Sequence, residues 1–346
     1  MPNTSSGRRD IIVMGGSAGA LESLRCIVSR LPADLPAAIL LVVHVAQDYP
    51  SILPEILSAC GSLRAIHPHN KQRVENGMIY VAPPDHHLLL EDASIVLSRG
   101  PRENRHRPAI DPLFRSAART YDARVAGVIL SGELDDGSAG LMAVRMRGGI
   151  AIVQDPNEAI APEMPRRAIQ YAGADYVLPA AAIAELLIQL AARTESTTEP
   201  AREFHMPHKS AKIDEEARQA NLENDPPAKQ AGQPSTFVCP ECHGTLWELE
   251  EGGLLRFRCR VGHAYTADSL RLAFTQSTEE ALWVAMRALE EKAALLRRLA
   301  SRSAERMAAN YRQEAEAYDK HVESIRRILL ANQAVVDREE HRSDAA

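Results

Sequence analysis

Residues 10–31 read DIIVMGGSAGALESLRCIVSRL, and this stretch decides the fold. Its first part, 10–14, is a continuous apolar run bounded by a turn, which predicts a buried parallel strand. After a glycine-rich turn, apolar side chains recur at the spacing of an amphipathic helix, namely Leu21, Leu24, Ile27, Val28 and Leu31. The stretch therefore predicts a strand, a tight turn and a helix in direct succession.

Ser17 occupies the turn of this stretch. A serine on a glycine-flanked turn between a strand and a helix has the geometry of a nucleophile elbow, and the helix N-terminus places N–H groups beside the hydroxyl. The alternatives are a phosphate-binding turn and an ordinary strand-to-helix corner. Residues 15–20 lack the full G-x-G-x-x-G pattern and no Lys-Ser/Thr pair follows, which disfavours phosphate binding. The turn alone does not decide between catalysis and structure.

The composition limits what the chain can be. Its 346 residues predict more than one domain, and 45% hydrophobic residues are enough for a full core. The net charge of −6 gives no general attraction to nucleic acid or to an anionic membrane. Because residues 1–9 are polar and no apolar run is long enough to cross a bilayer, we expect a cytoplasmic protein without a signal peptide or membrane insertion.

Residues 1–193 predict one α/β domain with a doubly wound, mostly parallel, Rossmann-like sheet, because short apolar runs alternate with helical patterns. A hairpin insertion is predicted from residues 78–82 and 87–97, around Pro83-Pro84-Asp85. The other strands are predicted at 10–14, 38–43, 124–130, 150–153 and 176–178, with helices over 111–121, up to 146 and over 180–192.

Three residues of the types found in a catalytic triad follow strands of this sheet. Ser17 and His44 come directly after two strands, and Asp136 lies in the turn after a third. A lone His after a strand is usually solvated, and an Asp before Gly is usually a helix cap. Their shared place at the carboxyl edge, where sites of such sheets lie, predicts instead a serine nucleophile with its base and orienting acid.

Residues 10 to about 193 resemble the catalytic domain of the chemotaxis protein-glutamate methylesterase (CheB) family. The matching stretches occur in one order along the domain: Gly15-Gly16-Ser17-Ala18-Gly19, Val43-His44, Tyr80-Val81-Ala82-Pro83, His106-Arg107-Pro108, Asp111 with Leu113-Phe114-Arg115-Ser116, Leu130-Ser131-Gly132, Asp136-Gly137, Gln154-Asp155 and Met164-Pro165. The resemblance implies that Ser17, His44 and Asp136 form the catalytic triad. It also implies hydrolysis of glutamyl methyl esters on a methylated chemoreceptor or similar signalling protein, deamidation of receptor glutamines, and no catalytic cofactor.

The chain departs from the family pattern at four places. Ala18 replaces the usual Thr or Ser, Gly132-Glu133-Leu134 replaces Gly-Met-Gly, and Glu163 replaces a Gly before Met-Pro. A carboxylate at Glu133, whose backbone N–H is associated with the oxyanion hole, would oppose the developing charge unless it points outward. Most members also carry a receiver domain before the catalytic domain, whereas this chain begins close to its first strand, so we expect no built-in phosphorylation-controlled lid.

Residues 194–235 predict a disordered linker and 236–270 a zinc ribbon. Cys239-Pro240-Glu241-Cys242 precedes sixteen residues with a hairpin pattern and then Cys259 and His263. Three thiolates and one imidazole fill a tetrahedral structural Zn²⁺ site, with His243 as a rival fourth ligand. The other two of the five cysteines, Cys26 and Cys60, are expected to stay reduced. Because of the linker, we expect zinc removal to leave hydrolysis by Ser17 largely intact.

Residues 271–346 predict a helical hairpin and a charged tail. Ser277-Thr278-Glu279-Glu280 predicts a capping box at the start of the first helix, and apolar residues from Met307 to Leu329 predict the second. The hairpin either packs on itself or the ribbon, or serves for self-association or docking.

These patterns together predict a serine carboxylesterase acting on protein glutamate methyl esters. The alternatives are a non-catalytic regulatory or scaffold protein that retains the methylesterase fold, and a small-molecule esterase.

Overall fold

The structure is a computed structural model that describes residues 7–44, 50–192, 232–251 and 253–343. The chain divides into two compact units, Met1–Leu270 and Arg271–Ala346. The linker predicted at 194–235 lies outside the described residues up to 231, and its residues 233–235 belong to a strand. Within the described ranges, no helix combines the length and the apolar character that crossing a membrane requires.

The first unit is built on a parallel sheet of seven strands, which confirms the predicted α/β fold. These strands are β1 (Ile11–Gly16), β2 (Ala38–Val43), β3 (Arg64–Ile66), β4 (Met78–Val81), β7 (Val125–Ile129), β8 (Ile150–Gln154) and β9 (Tyr176–Leu178). Their order across the sheet is β3-β4-β2-β1-β7-β8-β9. The first strand therefore lies at the centre, and the chain winds outward from it in both directions.

Helices cover both faces of this sheet. Ile11 and Val13 of β1 point into one core and Ile12 and Met14 into the other, so the strand is apolar at every position. The first core is covered by α3 (Ile110–Tyr121), α4 (Ser138–Met146) and α5 (Glu163–Tyr171), and the second by α1 (Ala20–Val28), α2 (Leu53–Cys60) and α6 (Ala180–Ala192).

The predicted hairpin of residues 78–82 and 87–97 is wrong in one part. Residues Met78–Val81 form β4, which pairs in parallel with β2 and β3 inside the main sheet. The hairpin consists of β5 (His87–Glu91) and β6 (Ser94–Ser98) alone. It packs on α3, where the Leu90 N–H donates to Ser116 Oγ at 3.1 Å. The residues of a short apolar strand do not indicate which other strand it pairs with, so the pairing of β4 could not be predicted from its own sequence.

A second, antiparallel sheet follows within the same compact unit. Its four strands are β10 (Gln233–Val238), β11 (Thr245–Glu251), β12 (Leu254–Cys259) and β13 (Ala264–Thr266). The central hairpin, β11 and β12, is the one predicted from the sequence. This sheet packs on the loop before α3, where the Asn104 N–H donates to the Ala264 carbonyl at 2.8 Å. The two sheets are thus in direct contact, contrary to the independence expected from the linker.

Two long helices complete the chain, α7 (Ala267–Ala300) and α8 (Glu305–Ser343). The capping box predicted at 277–280 is wrong, because those residues lie inside α7. The helix is capped instead by Thr266, whose Oγ1 accepts from the Ser269 N–H at 3.1 Å while the Thr266 N–H donates to Ser269 Oγ at 2.9 Å. The two helices pack on each other through Met286, Val322 and Leu329, and through Ala293, Leu296 and Ala315.

Candidate active site

Ser17 and His44 are neighbours because of the strand register. Gly16, the last residue of β1, pairs with Val43, the last residue of β2. Ser17 follows Gly16 and His44 follows Val43, so the two residues lie side by side. The His44 N–H donates to the Gly16 carbonyl at 3.2 Å. On the other side, the Ser17 N–H donates to the carbonyl of Ser131, just beyond β7, at 2.9 Å. The serine therefore lies at the carboxyl edge, at the middle of the sheet.

The turn that carries Ser17 needs glycine at two positions. A Cβ on Gly16 would lie 2.6 Å from the Ala20 Cβ and 3.2 Å from the Ser131 carbonyl. Gly19 has a φ of 72°, and a Cβ there would lie 2.5 Å from the Ile160 Cβ. The close approach of chain segments around the serine thus explains the glycine-rich sequence.

His44 and Asp136 form a buried pair, with His44 Nε2 2.8 Å from Asp136 Oδ2. Asp136 also accepts from the Ile110 N–H at 2.7 Å, at the N-terminus of α3. Burial would raise the pKa of Asp136, but the hydrogen bond and charge of His44, followed by the Ile110 N–H and the Asn104 amide, hold it well below its usual range. Because the carboxylate is ionised, His44 Nε2 carries the proton and Nδ1 is the ring nitrogen that can accept one.

Two residues near this pair were not predicted from the sequence. The His106 ring stacks on the His44 ring, with centroids 3.7 Å apart and planes 10° apart. Burial, with the charge of His44 second, lowers the pKa of His106 to about 3, so the stacked ring is neutral at pH 7. Asn104 donates from Nδ2 to Asp136 Oδ1 at 2.9 Å. Both belong to a loop without hydrophobic periodicity. His106 lies in a stretch that resembles the family, which is the one sequence signal for it, and Asn104 has no such signal.

Two of the departures from the family pattern are in contact with each other. The Leu134 N–H donates to Glu163 Oε2 at 3.2 Å, and Leu134 has a φ of 61°, a backbone conformation that favours glycine. Glu133 itself is exposed, so its charge is screened by solvent. Next to it, Gly132 lies against Ser17, since a Cβ there would be 3.1 Å from the Ser17 Cβ.

The four predicted metal ligands, Cys239, Cys242, Cys259 and His263, are brought together, with one ligand atom from each lying within 4.8 Å of all the others. Cys242 Sγ and Cys259 Sγ are 3.6 Å apart, and His263 Nδ1 lies 3.6 Å from Cys239 Sγ and 3.5 Å from Cys259 Sγ. In a tetrahedral Zn²⁺ site with the usual bond lengths, two sulfur ligands lie about 3.8 Å apart and a sulfur and a nitrogen ligand about 3.6 Å apart. The donor set therefore fits zinc. His243 is not one of the four.

Glu241 holds the histidine of this cluster in place. Its Oε2 lies 3.3 Å from His263 Nε2, and its Oε1 accepts from the Tyr265 hydroxyl at 3.0 Å. A ligating imidazole whose other nitrogen is bound by a carboxylate has a fixed tautomer and ring orientation. Glu241 lies between two cysteines in the sequence, and this neighbourhood is the signal that could have found it.

Comparisons with known proteins agree with the fold of the first domain. The family model described as CheB methylesterase matches residues 12–187. A putative protein-glutamate methylesterase/protein-glutamine glutaminase of Leptospira interrogans is 39% identical over 182 residues, which are 52% of this chain and 94% of that protein. Protein-glutamate methylesterase/protein-glutamine glutaminase 2 of Xanthomonas campestris is 36% identical over 185 residues, 52% of each chain. The CheB methylesterase catalytic domain of Thermotoga maritima, a crystal structure, has 34% identity and a TM-score of 0.51, covering 52% of this chain and 98% of that one.

Proposed function

Because the chain belongs to the CheB methylesterase family, we propose that it hydrolyses glutamyl methyl esters on a chemoreceptor-type protein and deamidates glutamines there. The observation that carries this proposal is the 2.8 Å contact between His44 Nε2 and Asp136 Oδ2, beside the strand end that carries Ser17. A buried imidazole–carboxylate pair next to a serine on a glycine turn is the arrangement that activates a hydroxyl.

The reaction uses these residues in sequence. His44 Nδ1 takes the proton of the Ser17 hydroxyl as Ser17 Oγ attacks the ester carbonyl, while Asp136 stabilises the imidazolium. Backbone N–H groups near Ser17 and at Glu133 donate to the oxyanion. The tetrahedral intermediate collapses when His44 returns the proton to the leaving methoxide, which departs as methanol. Water, deprotonated by the same imidazole, then attacks the acyl-enzyme and releases the glutamate carboxylate.

Methanol release from a methylated receptor by the purified full chain tests this function. Release by the wild type and none by a Ser17→Ala variant is the expected result. No release from receptor with turnover of short acyl esters would favour the small-molecule esterase. No turnover of either substrate would favour the scaffold alternative, which is motivated by Ala18 and Glu133.

We also assign a structural Zn²⁺ to Cys239, Cys242, Cys259 and His263. Their mutual distances and the carboxylate of Glu241 behind His263 support this assignment. Four protein ligands leave no position for a substrate, so the ion, when bound, supplies cross-linking rather than catalysis. Thiolate ligands persist in a reducing compartment, which supports a cytoplasmic location. Self-association or docking through α7 and α8 remains a proposal of the same kind.

A further inference from the structure

Asn104 joins the candidate active site to the antiparallel sheet. From Nδ2 it donates to Asp136 Oδ1 at 2.9 Å and to Asp111 Oδ2 at 3.1 Å. At Oδ1 it accepts from the Thr266 N–H at 3.1 Å and from the Ser269 hydroxyl at 3.2 Å. The residue is 4% exposed. One side chain thus links the carboxylate that binds His44 to the first turn of α7.

The chemistry of the partners requires an amide at this position. The two carboxylates can only accept from Asn104, and the N–H and hydroxyl both donate to it, so the orientation of the amide is set by its surroundings. An aspartate would add a third carboxylate to the pair Asp111 and Asp136. An alanine would remove one hydrogen bond from each of these buried groups, although Asp136 Oδ1 would keep the Asp111 N–H and the Thr266 N–H would keep Ser269 Oγ.

The antiparallel sheet also fixes the backbone that carries Asn104. The Asn104 N–H donates to the Ala264 carbonyl at 2.8 Å, and the Ala264 N–H donates to the Arg102 carbonyl at 3.3 Å. Between these bonds, Glu103 Oε1 accepts from Arg258 Nη2 at 2.9 Å. The loop 102–104 is thus held by β12 and β13, the strands that flank the Cys259 and His263 knuckle.

We propose that Asn104 is a positioning residue for Asp136, and that the β13–α7 junction, through Thr266 and Ser269, makes the antiparallel sheet and the first turn of α7 part of the active enzyme. This inference rests on the proposed esterase function. Asn104 touches neither Ser17 nor the ester and acts through Asp136. Its Nδ2 and the Asp111 N–H, which donates to the same oxygen at 3.3 Å, keep Oδ1 engaged while Oδ2 binds His44, and so hinder rotation of the carboxylate away from the imidazole.

The effect of Asn104 can be followed through the titration of the His44 ring, which depends on the charged groups around the His44–Asp136 pair. Several charged and titratable groups surround the pair and its neighbouring carboxylate Asp111, and they are His87, Arg102, Arg105, His106, Arg115, Asp135 and Arg256. Burial, with the charge of Asp136 second, raises the pKa of Asp111 to about 6. Without the Asn104 amide, the Asp136 carboxylate is held less firmly in the orientation that places Oδ2 against His44 Nε2, so it stabilises the His44 imidazolium less well.

The test compares full-length wild type with Asn104→Ala and Ser269→Ala. The first readout is the NMR titration of the His44 ring, assigned with a His44→Gln variant. In Asn104→Ala we expect its midpoint to move to lower pH, because the protonated ring loses the oriented carboxylate that stabilises it. The second readout is ester hydrolysis, where kcat should fall roughly 10- to 100-fold with KM unchanged. Ser269→Ala, which removes one hydroxyl, should shift both readouts in the same direction by less.

Thr275→Ala is the matched control, because it also removes one hydroxyl from α7. Thr275 is exposed, and its Oγ1 donates to the Arg271 carbonyl at 3.1 Å. This variant should leave the His44 midpoint and kcat unchanged. An unchanged midpoint in folded Asn104→Ala, or in Ser269→Ala if Asn104→Ala does not fold, would overturn the proposal. A wild type without esterase activity would refute the proposed function alone, because the NMR titration would still report on Asn104.

Discussion

Arg258 and Glu103 form a buried ion pair between the antiparallel sheet and the catalytic domain, with Arg258 Nη2 2.9 Å from Glu103 Oε1. The other carboxylate oxygen, Oε2, lies 2.5 Å from Arg115 Nη2. Burial would raise the pKa of Glu103, but the charges of Arg115, Arg258 and Arg256 hold it well below its usual range. A buried charge is tolerated only while it is paired, so separating the two sheets would leave buried charges without a partner.

Replacing Arg258 with Met should lower the free energy of unfolding by about 1.5–3 kcal/mol, because it removes one charged hydrogen-bond donor from a buried carboxylate that Arg115 still pairs. Folding lowers the pKa of Glu103, so its contribution is fully present above its unfolded-state pKa of about 4.3 and is lost as the pH falls towards its folded-state value. The deficit of the variant should therefore be full at pH 7 and smaller below about pH 4. Urea unfolding at a series of pH values measures it.

The control for this variant is Arg287→Met. Arg287 lies 3.8 Å from Glu291 on the exposed surface of α7, and such pairs contribute little, so the expected change is under about 0.5 kcal/mol. If the two variants were equally stable, the contact between the sheets would contribute no more than a surface ion pair.

Ser17→Ala should abolish ester hydrolysis and leave the free energy of unfolding almost unchanged. Removal of a triad nucleophile typically lowers kcat by about 10⁴- to 10⁶-fold. Methanol release from methylated receptor measures the loss, and Ser29→Ala, an exposed serine beyond α1, serves as the matched control with wild-type turnover. A serine-reactive phosphonate should label the wild type at Ser17. Wild-type turnover by Ser17→Ala would exclude the mechanism.

Asp136→Asn should retain the fold and lower kcat by roughly 10⁴-fold, because an amide in place of the carboxylate favours the wrong tautomer of His44. The pKa of Asp136 is held well below its usual range, so Asp136 stays ionised over the working pH range. The fall in wild-type activity on acidification should then report protonation of the His44 base. A pH profile of kcat/KM that is flat between about pH 5 and 8 would argue against His44 as the base.

The sequence predicted those parts of the structure that depend on the hydrophobic pattern of neighbouring residues. The strand predicted at 38–43 is β2, and Ser17 and His44 could be placed together because ligand sites of parallel sheets lie at one edge. Asn104 and Glu103 could not be found in this way. Their partners in the antiparallel sheet are more than 150 residues away in the chain, and neither residue belongs to a periodic segment.

The start of α7 shows how two local signals can compete. Residues 277–280 satisfy the Ser/Thr-x-x-Glu pattern, but the same pattern of cap and return bond is made earlier by Thr266 and Ser269, with a serine in the place of the glutamate. Leu270 and Ala273 are buried and extend the apolar face back to that cap. The helix therefore begins where tertiary contacts favour it, although the sequence signal at Ser277 is the more usual one.

The metal cluster should bind one Zn²⁺ per chain, and substitutions should distinguish its ligands from the neighbouring histidine that is not a ligand. Cys259→Ser should lose the metal, whereas His243→Ala should keep it, because His243 is exposed and lies outside the cluster. Elemental analysis of protein purified under reducing conditions gives the stoichiometry. Loss of zinc from His243→Ala, with its retention by a His263→Ala variant, would reassign the fourth ligand to His243, and retention by Cys259→Ser would remove Cys259 from the set.

Removing the metal should also lower ester hydrolysis, contrary to the independence expected from the linker. Cysteine binds zinc only as the deprotonated thiolate, so acid releases the ion, and a chelator removes it by competing for it. Either treatment should loosen the knuckle of Cys259 and His263. That knuckle connects β12 to β13, whose Ala264 carbonyl accepts from the Asn104 N–H. Loss of the metal should therefore free the Asn104 loop and shift the His44 titration in the same direction as Asn104→Ala. The measurement is kcat and the His44 NMR midpoint before and after chelation at constant pH, with re-addition of Zn²⁺ as the control for reversibility. Full activity and an unchanged midpoint in metal-free protein would mean that Arg258, Thr266 and Ser269 hold the loop without help from the cluster.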